Sequence, residues 1–307
     1  MKIMKLVRKF ILVLLMLLLV ASGYFFYVAE YRQTANNKNY SNASNAVKSL
    51  VNEYQSFAKN SSKIVSITND NLKLHAEYVS AKNKTNKTVI VIHGFRRNLT
   101  GMKDYSAVFL KQGYNVLNID NRGHGKSEGN FVGFGWLDKN DVLKWIDYLI
   151  KQNPNVEIVP FGISMGGATV TMLSGEKLPS NVKAIIEDSA YTTADEEITY
   201  QAKEMFNLPK FPFVDLVSLE SKIIAGYSFK EADAVKSVKK NKLPMLFMHG
   251  GDDTYVPTYM VNILFKADPD SRKQLWIAPN SEHVDSLKDH TQEYESHVKD
   301  FLDQYFK

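Results

Sequence analysis

The 307 residues are enough for one large α/β domain or two smaller ones, so pattern has to decide between them. Lys2, Lys5, Arg8 and Lys9 account for most of the formal net charge of +5, which leaves the body of the chain near neutral and without an electrostatic footprint for nucleic acid. The absence of cysteine excludes disulfides, thiolate catalysis and cysteine-ligated metals.

Phe10 to Ala29, FILVLLMLLLVASGYFFYVA, carries no charge. A helix of about 20 apolar residues crosses a hydrocarbon core of roughly 30 Å. With four basic residues ahead of it, the run reads as a single membrane span that keeps the N-terminus in the cytoplasm and puts residues beyond 29 on the other side of the cell membrane. Secretion after cleavage beside Ala21, Ser22 and Gly23 is the alternative, and the aromatic-rich YFFYVA, which prolongs the apolar run past any cut there, favours an uncleaved anchor. Residues 30–46, rich in Asn and Ser, read as a flexible, solvated tether, and folded structure is expected from residue 47 to 307.

KIVSIT and LKLHAEYV, separated by Asn69-Asp70-Asn71, predict a β-hairpin. Short apolar runs of buried-strand type follow at 87–93, 114–120, 156–162, 182–188, 243–249 and 273–278. Helical patterns separate most of them. The clearest is 137–151, where Val142, Ile146, Leu149 and Ile150 form one apolar face. This alternation predicts a mostly parallel central sheet with helices on both faces. Residues 191 to about 240 interrupt the rhythm and read as a helical cap insertion. Pro160 lies inside one strand run, so a bulge or an early strand end is expected there.

Gly162-Ile163-Ser164-Met165-Gly166 follows an apolar run and precedes a helical stretch, a setting in which flanking glycines permit a sharp turn with the serine oxygen exposed at its apex. After another strand come His93, Gly94 and Phe95, and the backbone N–H groups of Phe95 and Met165 are candidates for an oxyanion hole. Asp252 and Asp253 both lie just past a later strand, either of them able to orient a base. His283 stands after the last strand, where a general base would be placed. His75, His124, His249, His290 and His297 read as structural or solvated, and no histidine pair has the close spacing of a metal site.

Taken in order, HGF, DNRGHGKSEG, GISMGG, HGGDDTYVP and SEH resemble the α/β-hydrolase superfamily over roughly residues 60–307, and most of all its bacterial membrane-anchored, serine-aminopeptidase-like, small-capped members. The resemblance selects Asp253, because the family's acid stands three residues before the valine of D-x-x-V-P, here Val256 and Pro257. It implies the α/β-hydrolase fold and a serine hydrolase that cleaves a small-molecule acyl ester through Ser164, His283 and Asp253 by way of an acyl-enzyme, with no cofactor and no metal. A peptidase or transacylase on the same fold is an alternative within enzymes. A non-catalytic binding protein is the alternative outside them. In the insertion, Phe211 and Phe213 belong to an apolar cluster expected to line the substrate pocket, and Asp195, Glu196, Glu197, Glu204 and Glu220 are the carboxylates that a peptidase would use to hold a substrate amine.

Overall fold

A computed structural model describes residues 2–32, 35–37, 40 and 43–306. Helix α1 (Lys2–Glu30) contains the apolar run, and it is long and apolar enough to cross a membrane. Of the segment expected to be a solvated tether, residues 33, 34, 38, 39, 41 and 42 lie outside the described residues. Where the segment is described, its polar groups make specific contacts. Tyr31 bridges to Phe131, the Arg32 guanidinium donates to the carbonyls of Gly125 and Ser127, and the Tyr40 hydroxyl donates to Asp104 at 3.1 Å. Helix α2 (Asn45–Ser61) then starts two residues before the expected boundary, capped by the Ser44 hydroxyl on the Val47 amide.

Strands β1 (Ser62–Asn69) and β2 (Leu72–Val79) form the expected hairpin. Its two central residues have positive φ, 49° at Asp70 and 61° at Asn71, a conformation that Asp and Asn tolerate best after glycine. There follow β3 (Lys87–Ile92), α3 (Lys103–Lys111), β4 (Asn115–Ile119), α4 (Asp138–Gln152), β5 (Glu157–Ile163), α5 (Met165–Leu173) and β6 (Ile185–Asp188). The insertion holds α6 (Ala194–Phe206), α7 (Asp215–Ile224) and α8 (Ala234–Val238). The chain closes with β7 (Met245–Gly250), α9 (Tyr259–Ala267), β8 (Gln274–Ala278), α10 (Ser286–Asp289) and α11 (Thr291–Tyr305).

The eight strands form one sheet in the order β1-β2-β4-β3-β5-β6-β7-β8, antiparallel at β1–β2 and β2–β4 and parallel from β4 onward. Alternation along the strands divides the core in two. In β3, Ile90 and Ile92 join Trp145 of α4 and Met172 of α5 on one face, while Val89 and Val91 join Tyr54 of α2, Phe109 of α3 and Phe301 of α11 on the other. Helices therefore cover both faces, as a mostly parallel sheet requires.

Pro160 does not end β5. It pairs with Ile90 of β3, and the cost appears on the opposite side. Ile158 exchanges hydrogen bonds with Asn181 and Lys183, so alternation turns the missing Pro160 N–H toward that same neighbour. There the register slips by one residue, from Ile158↔Val182 to Phe161↔Ile186, so the neighbouring strand takes up the bulge.

The insertion is closed at its base by a bridge between Thr193 and Asp233 and by the Ala194 amide donating to Ala232 at 2.9 Å. It stands over the C-terminal ends of β5 to β7. It also meets α1, which packs on α7 and on the turn Lys210–Val214.

Candidate active site

Strand β5 delivers Ser164 at φ 53° and ψ −119°, a left-handed conformation that costs a non-glycine residue of order 1–3 kcal/mol. The glycines on both sides allow the backbone to crowd around it. A Cβ on Gly162 would lie 2.1 Å from the carbonyl oxygen of Gly166, and one on Gly166 would lie 2.2 Å from that of Ile92 in β3. Thus α5 starts almost in contact with two strands, and the serine side chain is pushed above the sheet edge. The Ser164 amide donates to the Asp188 carbonyl at 2.8 Å, which fastens the turn to β6.

Ser164, His283 and Asp253 come together. His283 Nε2 lies 2.9 Å from Ser164 Oγ, and His283 Nδ1 lies 2.7 Å from Asp253 Oδ2. Asp253 is buried at the end of β7. Its Oδ1 accepts the amides of Tyr255 and Val256, each at 2.9 Å, so the carboxylate is held by its own turn. Asp252 is exposed and takes no part. Burial alone would raise the Asp253 carboxyl, but hydrogen bonds from His249 and His283 outweigh it and hold the group down at about 2. His249 sits beneath the site with Nε2 2.8 Å from the Val256 carbonyl and 3.2 Å from Asp253 Oδ2.

The loop after β3 presses on the serine from the other side. A Cβ on Gly94 would come within 3.2 Å of the Ser164 Cβ, and Phe95 and Met165 line the same cavity as Ser164. His93 sets this loop: it is fully buried, Nδ1 lies 2.8 Å from the Gly94 carbonyl and Nε2 accepts the Asn121 amide at 3.1 Å. Burial and the neighbouring His124 push His93 well below its usual range, so the ring is neutral and can serve as donor and acceptor at once.

Above Ser164 lies an apolar cavity of about 190 Å³. Phe213 lines it, together with Met205, Phe206 and Leu208 of the cap. Phe211 does not. Its extended backbone, φ −93° and ψ 131° between helical turns, carries the ring outward, where it is 77% exposed. Of the five cap carboxylates only Glu197 reaches the cavity. Asp195 pairs with Lys210, Glu196 bonds Tyr259, Glu220 accepts the Ser22 hydroxyl and Glu204 is exposed. Burial raises Glu197 to about 8, with the Gln201 side chain acting weakly against it. Among the described residues, no cluster of three His, Asp or Glu side chains could hold a metal ion.

A family model described as "Serine aminopeptidase, S33" matches residues 83–210. The uncharacterized protein YqkD of Bacillus subtilis (strain 168) is 31% identical over 229 residues, 74% of each chain. The chain belongs to the α/β-hydrolase superfamily. Among solved structures, this α/β-hydrolase is similar to the Pyrococcus furiosus esterase Pf2001, with a TM-score of 0.68 and 24% identity over 90% of this chain and 99% of that one. It is also similar to the Pyrococcus horikoshii acylaminoacyl peptidase, with a TM-score of 0.60 and 17% identity over 79% of this chain and 41% of that one. At these identities the likeness is one of fold.

Three features of the α/β-hydrolase site lay outside the reading of its sequence. Tyr255 packs against His283, ring centroids 4.9 Å apart, and shields the imidazole. Arg96 lines the cavity and donates to the carbonyl of Val28. Most unexpected, Phe25, Val28 and Ala29 of α1 form one wall of the cavity. The signal for that docking was present: Ser22, Phe26 and Glu30 recur every four residues along the C-terminal part of α1, and all three are buried.

Proposed function

We propose that this chain is a membrane-held serine hydrolase that cleaves esters of apolar acyl groups, with α1 as an uncleaved anchor and the catalytic domain outside the cytoplasm. The observation that carries this reading is the continuous hydrogen-bonded line from Asp253 through His283 to Ser164 at the floor of an apolar cavity. In the proposed reaction, His283 takes the Ser164 proton as Oγ attacks the acyl carbonyl, and Asp253 holds the imidazole through Nδ1. The amides of Phe95 and Met165 receive the oxyanion; Met165 is the first residue of α5, so its N–H has no partner within the helix. His283 then protonates the leaving alcohol and next activates the water that releases the acid.

Phe213 and the α1 residues line the acyl side of the cavity in this reading, and each buried methylene of the substrate adds up to about 0.8 kcal/mol of binding. Labelling by a fluorophosphonate tests for an activated serine. A series of p-nitrophenyl esters tests the pocket: catalytic efficiency should climb from acetate to a medium chain, and Phe213→Ala should flatten the climb while Phe211→Ala leaves it intact. Equal efficiency along the series would overturn the acyl assignment.

A peptidase is the second reading, favoured by the placement of Glu197, which a substrate amine would meet inside the cavity. The carboxyl is protonated up to about 8, and a neutral acid among apolar side chains suits an uncharged acyl group better than an ammonium. Turnover of aminoacyl amides exceeding that of medium-chain esters would reverse this preference.

A further inference from the structure

The depth at which the cap meets α1 can be worked out from helix geometry. Counting from Lys9, a hydrocarbon core of roughly 30 Å takes about 20 residues at 1.5 Å each, which ends at Ala29. Yet the cap holds α1 from Ser22 to Glu30. The Ser22 hydroxyl donates to Glu220 at 2.6 Å, Phe25 packs edge-on against Phe206 with centroids 5.2 Å apart, and Glu30 accepts the Ser221 hydroxyl at 2.9 Å. The docked stretch therefore begins about 10 Å inside the far boundary of the apolar layer. If α1 spans, the part of the cap bound to it cannot stay in water.

The surface of the cap agrees. Outside α1, most of the large apolar side chains that the described structure exposes lie on this one element: Met205, Phe206, Phe211, Leu219, Ile223 and Ile224, with Phe211 at 77% and Ile223 at 74% exposure. Ile223 and Ile224 follow Glu220 by three and four residues on α7, which sets them beside the ridge that binds α1. Patches of this kind in a water-soluble domain mark an interaction site. Near it, Lys210 pairs with Asp195 and Lys222 with Glu231, while Lys203 donates to the Asn207 side chain. Met205 and Phe206 belong to the exposed patch and also line the cavity over Ser164, so the cavity reaches the surface at the patch.

We propose that the cap face bearing Phe206, Phe211, Ile223 and Ile224 lies in the membrane leaflet at the far end of α1, and that the cavity over Ser164 opens into that leaflet. The substrate class is then the acyl chain of a bilayer lipid, which reaches the serine without crossing water. This rests on α1 spanning the membrane, and the experiment separates the two. Because the chain contains no cysteine, single-cysteine variants of the full-length protein can be spin-labelled cleanly in phosphatidylcholine vesicles. Labels at Leu17→Cys, Phe211→Cys and Ile223→Cys should collide more with oxygen than with a water-soluble nickel chelate, and a label at Asp300→Cys on α11 should show the reverse. A lipid-like signal at position 17 with water-like signals at 211 and 223 would overturn the immersed cap and leave the span standing. Water-like signals at all three would overturn both. Shielding of 211 and 223 from both reagents would mean a protein partner on this face, and would equally overturn the proposal.

Discussion

The guanidinium of Arg96 donates to the carbonyl of Val28, so the residue after Phe95 is tied to the last turn of α1. The cation meets the negative end of the helix dipole, and its side chain lies over the Phe95 ring at 5.0 Å. Under the proposed mechanism the Phe95 amide receives the oxyanion, and such an amide is useful only in fixed orientation. Arg96→Met, which keeps length and loses the donor, should lower kcat by about tenfold with little change in KM, since the interaction lost is one that steadies a transition-state contact. An unchanged kcat in steady-state assays of the full-length variant would separate this tie from catalysis.

The line of hydrogen bonds at the site predicts a graded set of losses. Under the proposed mechanism Ser164→Ala and His283→Ala each reduce turnover by several orders of magnitude, and their combination costs little more than either alone, because the groups act as a unit. Asp253→Asn should lose roughly 10³ to 10⁴-fold. Asp252→Asn should be near neutral, as its side chain faces solvent. Ester hydrolysis by the purified variants reads all five, and a damaging Asp252→Asn would reassign the acid.

The glycines around Ser164 should divide by the kind of atom that an added methyl meets. At Gly162 and Gly166 it meets backbone oxygen at 2.1 and 2.2 Å, so alanine there should prevent stable folding. At Gly94 it meets the Ser164 Cβ at 3.2 Å and the Ile163 carbonyl oxygen at 3.4 Å, contacts that a shift of a few tenths of an ångström relieves. Gly94→Ala should therefore fold, melt within a few degrees of the parent and lose activity. Calorimetry together with the ester assay distinguishes the two classes.

Glu197 should make stability depend on pH. Its folded value of about 8 lies above the ordinary 4.5, so the folded state binds the proton more tightly and stability falls as pH rises between those values. Glu197→Gln removes the titration. The loss of melting temperature between pH 5 and pH 8 should be several degrees smaller in the variant, at roughly 2–4 °C for each kcal/mol. Parallel melting curves for the two proteins across that range would contradict a buried, protonated Glu197.

The sheet was legible because buried parallel strands are written as short β-branched and aromatic runs, and the observed strands begin and end within a few residues of those runs. Ser164, His283 and the competing aspartates were legible for a related reason: the chemistry demands particular residue types at strand ends. The cap was not. Phe211 and Phe213 are equivalent as letters two apart, and only the extended backbone at Phe211 sends one ring out while the other lines the cavity. Glu197 could not be told from four neighbouring carboxylates, since what distinguishes it is burial in the cavity wall, which only the folded chain sets. The docking of α1 had a written signal in Ser22, Phe26 and Glu30, but a helix that is apolar all round reads first as a membrane span, and the stripe within it is easily passed over.

The clamp between α1 and the cap also sets how far the site can travel. A catalytic head on a loose stalk sweeps a hemisphere and can meet targets well above the surface. Here Ser22 and Glu30 are bonded to α7, and Arg32 and Tyr31 are bonded to the loop beyond β4, so the head is fixed in orientation relative to α1. If α1 spans the membrane and the substrate is a bilayer lipid, as proposed, such a machine does not search; its substrate arrives by lateral diffusion, and turnover at low substrate density should follow the fluidity of the surrounding layer rather than stirring of the water above it.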